Sequence, residues 1–211
     1  MIEPQFSDDT LVKHLAGLPP DGLTIFTLEA DTIRGVLSSN TAMVARMRES
    51  HGLGLLETMV LGKAYVASSL LSATIKGEDR IILKVEGNGP AGGFSVECGA
   101  GGDVRGRLFE SPFALDAPPE SLDTAPLVGA GTISLTRMMA GRTEPVTGTS
   151  ALRSGRLAED LAWYFHLSEQ TRSSFTIGLH FDAEGRVAGA GGLFLQAMPG
   201  AADDADRKSV V

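Results

Sequence analysis

With one cysteine in 211 residues, Cys98 has no partner for an intrachain disulfide and cannot build a thiolate metal site by itself. Histidine is almost as scarce. The four present, His14, His51, His166 and His180, are scattered without the spacing of metal ligands, so neither metal nor cofactor is expected in this chain. Long apolar runs are missing too, since the longest, Ala64 to Ile75, is bracketed by Lys63 and Lys76 and falls short of the ~20 residues of a membrane span. The opening "MIEPQFSDDT" has acids and a proline where an export signal shows basic residues before an apolar stretch, and a cytoplasmic location is expected. Basic residues are outnumbered by acids, 18 to 26, and the net charge of -8 would repel a phosphate backbone. Neither nucleic acid nor membrane is therefore an expected partner.

What is there is enough for a core. A hydrophobic fraction of 43% with 21% charged residues is typical of globular proteins, and the length suits one principal domain. That domain is assigned to residues 1–199, with 200–211 as a mobile tail. The segment "LTIFTLEADTIRGVLSS" predicts an opening strand or hairpin, after which Ser39 or Asn40 could cap a helix that ends at Gly52 and Gly54. Leu55 to Lys76 predicts the longest helix, with Leu56, Met59, Val60, Ala64, Ala67, Leu70, Leu71 and Ile75 on one broad face and Gly77 as its stop. "RIILKVEG", "GGFSVECG" and "DVRGRLF" read as an antiparallel meander, and Pro112 to Pro126 as an exposed loop. "LVGAGTISLTRM" and "EPVTGTSAL" add strands. Gly155 to Gln170 returns to helix, and "SFTIGLHFD" and "RVAGAGGLFLQAM" close the chain as two strands around Ala183-Glu184-Gly185. The fold class is α+β, an antiparallel or mixed sheet core packed against a few helices.

Motifs for catalysis are thin. Gly87-x-Gly89-x-x-Gly92 has the spacing of a dinucleotide loop, but Pro90 lies inside it and a strand follows where a helix must receive the pyrophosphate. A glycine-rich hairpin connection is the favoured reading. Gly148-Thr149-Ser150-Ala151-Leu152 lacks the final glycine of a nucleophile elbow. His166 and Ser168 stand two apart on a helix and point in different directions. Of the methionines, Met43, Met47 and Met59 are expected in the core, whereas Met138-Met139 at a strand end is a candidate for exposure.

Several segments, taken in order, resemble the 33 kDa chaperonin family, the redox-regulated heat-shock holdases. They are "LG-A-SSLL-AT-KG" from Leu61 to Gly77, Gly87, Gly89 and Pro90, "VRG" at Val104-Arg105-Gly106 and "LVG-G" from Leu127 to Gly131. "LAEDLAWYFHLSEQ" follows, containing Tyr164, Phe165, Ser168, Glu169 and Gln170, and then "AGGLFLQAMP", containing Gly191, Gly192, Gln196 and Pro199. These motif residues are expected to be structural, Ser168, Glu169 and Gln170 by satisfying last-turn carbonyls and fixing the helix exit. Val146 stands where relatives often carry tyrosine, and "TRSSF" lacks a proline common there. No residue matches the family's C-terminal zinc module of four cysteines.

The resemblance implies an ATP-independent holdase core that binds unfolding client proteins and forms a homodimer by exchanging elements. Zinc belongs to the module not matched here, so any holding activity is expected to be constitutive. A truncated dimerising interaction core without client binding is the alternative, and a ligand-binding enzyme using the glycine loops is a remote third.

Overall fold

The computed structural model describes residues 9–115, 117 and 121–198. Pro199, the proposed 200–211 tail and Pro118-Pro119 of the predicted loop lie outside them. A first helix, α1 (Asp9–Gly17), leads into the predicted hairpin of β1 (Gly22–Leu28) and β2 (Ile33–Ser39). Then come α2 (Thr41–His51), α3 (Leu55–Ser72) and the meander β3 (Arg80–Gly87), β4 (Gly93–Gly99) and β5 (Val104–Leu108). A short α4 (Ala125–Val128) precedes β6 (Gly131–Met138) and β7 (Val146–Ala151), and α5 (Leu157–Ser168) precedes β8 (Ser173–Phe181) and β9 (Val187–Ala197).

The strands sort into two sheets, both wholly antiparallel: β1-β2-β9-β8 and β5-β4-β3-β6-β7. The α+β expectation holds, with no mixed sheet among the described strands. Between the sheets runs α3. Its Val66 and Leu70 side chains lie against Gly192 of β9, and its Tyr65 hydroxyl accepts from Gly106 N–H of β5 at 2.9 Å. A helix flanked by sheets on two sides must be apolar or small almost all round, and even Glu57, Thr58, Ser68, Ser69 and Ser72 are buried. The single broad face predicted for it is thus too narrow. Gly62 permits the close approach of β8 and α2 to α3, because a Cβ there would sit 2.5 Å from Leu179 Cδ1 of β8 and 3.0 Å from Val44 Cγ1 of α2. None of the described helices is long and apolar enough to cross a membrane.

Three local expectations differ in their chemistry or extent. Asn40 occupies the position before α2, but its side chain makes no cap bond; its Nδ2 donates to Ser69 Oγ of α3 at 3.0 Å. Asp21 takes the cap role from a distance, its Oδ1 accepting from Ala42 N–H at 3.1 Å. Burial holds its carboxyl above the usual aspartate range, against the lowering effect of those backbone hydrogen bonds. Gly77 is not the stop of α3, which ends at Ser72 with Ala73 as its cap, although Gly77 does turn with φ +58 in the connection to β3. The predicted Pro112–Pro126 loop hides two ordered features, a buried Phe113, whose N–H donates to Glu57 Oε1 at 2.9 Å, and the start of α4.

Candidate functional site

Gly87 and Gly89 lie under the end of α4, where a Cβ would meet Val128 O at 2.1 Å and Leu127 O at 2.5 Å respectively. Their backbone groups are spent on that contact: Gly89 N–H donates to Val128 O, Ala91 N–H to Leu127 O and Asn88 N–H to Ala130 O, each at 2.9 Å. A loop whose N–H groups already face carbonyls offers no cradle to a phosphate. Pro90 sits in the same tight turn.

The other motif residues are spread over the molecule. Arg105 and Gly106 are neighbours on β5 with opposite duties, Arg105 pairing with Glu97 at 3.1 Å on the outer face and Gly106 meeting Tyr65 within. Gly191 and Gly192 bring β9 close to β2 and α3, and Gln196 lies opposite Arg34 and Ser173. Tyr164 and Phe165 are 1% exposed on α5, Phe165 within a cluster of rings with Phe175 and Phe194. The Tyr164 hydroxyl fills the place a side chain would need at Gly148 and donates to Glu169 Oε1 at 3.3 Å.

Glu169 also binds Arg137 of β6, so it ties the end of α5 to the second sheet instead of satisfying last-turn carbonyls. Ser168 closes α5, and Gln170 turns the chain with φ +51 towards β8. Burial and then the nearby Glu169 carboxylate push the Tyr164 hydroxyl up to about 12. Removing the carboxylate leaves a half-buried guanidinium and a buried hydroxyl without their acceptor. Glu169→Ala is expected to cost about 1–3 kcal/mol, read as a fall of several degrees in melting temperature. Glu169→Gln should recover part of the loss.

Catalytic constellations fail on position. Gly148 and Ser150 lie inside strand β7, with no turn into a helix, and the described residues contain no group of three or more His, Cys, Asp or Glu able to hold a metal ion. Cys98, buried in β4, does not fit a zinc ligand set. His166 stacks beside Trp163 on the exposed side of α5. A cleft of about 500 Å³ opens between α2, the start of β1 and the β4–β5 turn, but its Asp21 is committed to capping α2. Met43 and Met47 line this cleft; Met47 is core, as expected, and Met43 is half-buried.

The faces of the sheets differ far more than their pockets. Directly opposed residues of an antiparallel pair share a face. The outer face of the β5-β4-β3-β6-β7 sheet carries Arg80, Lys84, Glu86, Glu97, Arg105 and Arg107, linked in part by ion pairs at 2.7–3.1 Å. The outer face of the β1-β2-β9-β8 sheet carries Phe26, Leu28, Leu37, Leu193 and Leu195 together with a buried Ile33, with threonine, serine, glycine and alanine between them. It bears no formal charge in its paired residues. Leu37 is 52% exposed and Leu28 42%, while α3 and α5 pack on the opposite face, against Phe175, Gly192 and Phe194. Sequence reasoning missed this surface because apolar side chains occur on both sides of β1, β2 and β9, so alternation did not identify the buried face.

Comparison with known proteins was then decisive for kinship. The family described as Hsp33 protein matches residues 21–210. The 33 kDa chaperonin of Desulforamulus reducens is 39% identical over 168 residues, covering 79% of this chain and 56% of the relative. That of Ruminiclostridium cellulolyticum is 37% identical over 186 residues, covering 87% and 63%. The crystal structure of the 33 kDa chaperonin (heat shock protein 33 homolog) from Thermotoga maritima superposes with a TM-score of 0.76 at 31% identity, over 82% of this chain and 59% of that one. The chain therefore spans a little over half the length of the relatives it matches.

Proposed function

Because this chain belongs to the Hsp33 family, we propose that it is an ATP-independent chaperone core, a holdase that keeps unfolding proteins from aggregating without catalysing a reaction. The observation that carries this reading is the uncharged apolar outer face of the β1-β2-β9-β8 sheet, set against the charged outer face of the other sheet. Apolar contact is non-directional, so such a face can accept many sequences that no shaped catalytic pocket would tolerate. Unfolding polypeptides expose what it can bury.

The test is light scattering. A chemically denatured client diluted into buffer without nucleotide should aggregate less as this chain is added, with suppression near completion at a modest excess. No suppression at any excess would leave the dimerising interaction core as the better reading. Association into a homodimer belongs to the same proposal. Sedimentation holding at 22.1 kDa throughout the micromolar range would remove it.

A further inference from the structure

Three of the four sheet edges carry features that discourage pairing with another chain. β5 is five residues long and presents Arg105 and Arg107; β7 runs "VTGTSA" with one large apolar residue, Val146; β8 ends in a register shift between His180 and Phe181, its last two residues. β1 has no such guard. Its seven residues, "GLTIFTL", include no charge and no proline, and Ile25 is 59% exposed. β2 is its one neighbour in the sheet, so alternate residues turn their N–H and C=O groups outward, where no hydrogen bond meets them among the described residues.

We propose that the free edge of β1 is a strand-addition site for an extended apolar segment flanked by basic residues. The occupant must be extended, because only a strand can match a row of alternating backbone donors and acceptors. Its apolar character follows from position: an added strand continues the sheet, so alternate side chains fall in line with Phe26 and Leu28 on the uncharged outer face. Its basic flanks follow from charge. Asp21, exposed and capping α2 through Oδ1, precedes β1, and Glu29 and Asp31 follow it in a turn where three successive residues have φ of 48, 52 and 67. Thr27 Oγ1 donates to Asp31 Oδ1 and holds that carboxylate beside the strand end. A second copy pairing antiparallel through β1 would bring Asp21 of one chain to Glu29 and Asp31 of the other. Like charges then meet at both ends, and self-pairing is disfavoured.

The proposal rests on the chaperone reading for the identity of the partner as an unfolding protein, whereas strand addition is measured with a peptide. The probe is a short peptide of alternating valine and threonine with lysines at both ends, added to the isotopically labelled chain. Amides of alternate β1 residues are expected to exchange at least ~10-fold more slowly in its presence. The same peptide N-methylated at every core residue should not bind, and glutamate in place of the lysines should weaken it severalfold. Ile25→Lys, at an exposed position, should weaken the probe about tenfold with an unchanged fold, and Val146→Lys on β7 should not. Protection that maps to another strand, or equal binding of the N-methylated peptide, overturns the proposal. So does β1 protection that grows with protein concentration alone, which would identify a second copy as the occupant. Suppressed aggregation with unprotected β1 amides would sink this site and leave the chaperone reading standing; β1 pairing without suppression would do the reverse.

Discussion

Leu28→Glu combined with Leu37→Glu is expected to abolish aggregation suppression while leaving the melting temperature within a few degrees of the parent. Both side chains are more than two-fifths exposed, so replacing them removes few folded-state contacts, and surface changes of this kind usually stay within about 0.5 kcal/mol each. Their effect on binding is of another order. They stand at opposite ends of the apolar face, Leu28 opposite Ile33 and Leu37 opposite Leu193. A client segment spanning that face would have to strip water from a carboxylate at either end, and a buried unpaired charge costs several kcal/mol. Two such penalties exceed what a nonspecific apolar contact supplies. Unchanged suppression by the doubly substituted protein would move the client surface elsewhere.

A second large effect concerns Cys98. The thiol is 1% exposed in β4, beneath α3, and burial pushes it up from 9.0 to about 12, with Asp103 and Glu97 adding in the same direction. The thiolate is the reactive form, so three pH units correspond to about a thousandfold less nucleophile near pH 8 than an unfolded chain offers. Alkylation of native Cys98 is expected to be slower by at least that factor, because access is restricted as well. Peroxide should leave it reduced, and holding activity should be the same before and after oxidation. Modification of the native protein at the rate of the unfolded one would refute this, and oxidation-dependent activity lost in Cys98→Ser would make the residue a switch. The same shift carries a sign for stability. The folded state keeps its proton where the unfolded state loses it, so this stability is fully present below pH 9 and declines by about 1.4 kcal/mol per unit as pH rises towards 12.

Much of the secondary structure was legible because its signals are local. "LTIFTL" and "RIILKV" are β-prone runs bounded by turn residues, and Leu157, Leu161, Tyr164 and Phe165 keep helical spacing over more than two turns. What depended on distant partners was not. Nothing near Asn40 says that its amide is drawn to Ser69 in α3 while Asp21 does the capping, and nothing near Glu169 points to Arg137. The four residues of α4 are too few to show a period. The candidate surface was hidden for a related reason, since its membership depends on β9 pairing with β2, and that pairing decides which side of each strand is covered.

That pairing also sets the order in which the molecule can be made. Ser39 meets Gly191, and Ile33 meets Ala197, so the β1–β2 hairpin leaves the ribosome about 150 residues ahead of the strand that joins it to the rest of its sheet. At ~5–20 residues per second, the open side of β2 waits roughly 8–30 s for β9. Through that interval the nascent hairpin has two open sides and an uncharged apolar surface, and α3, once synthesised, lacks the completed β1-β2-β9-β8 sheet on one side even after the strands of the other sheet have all been made. A protein proposed to shelter others from aggregation is thus, during its own translation, a candidate for shelter, and slowing elongation between α3 and β9 should lower its soluble yield.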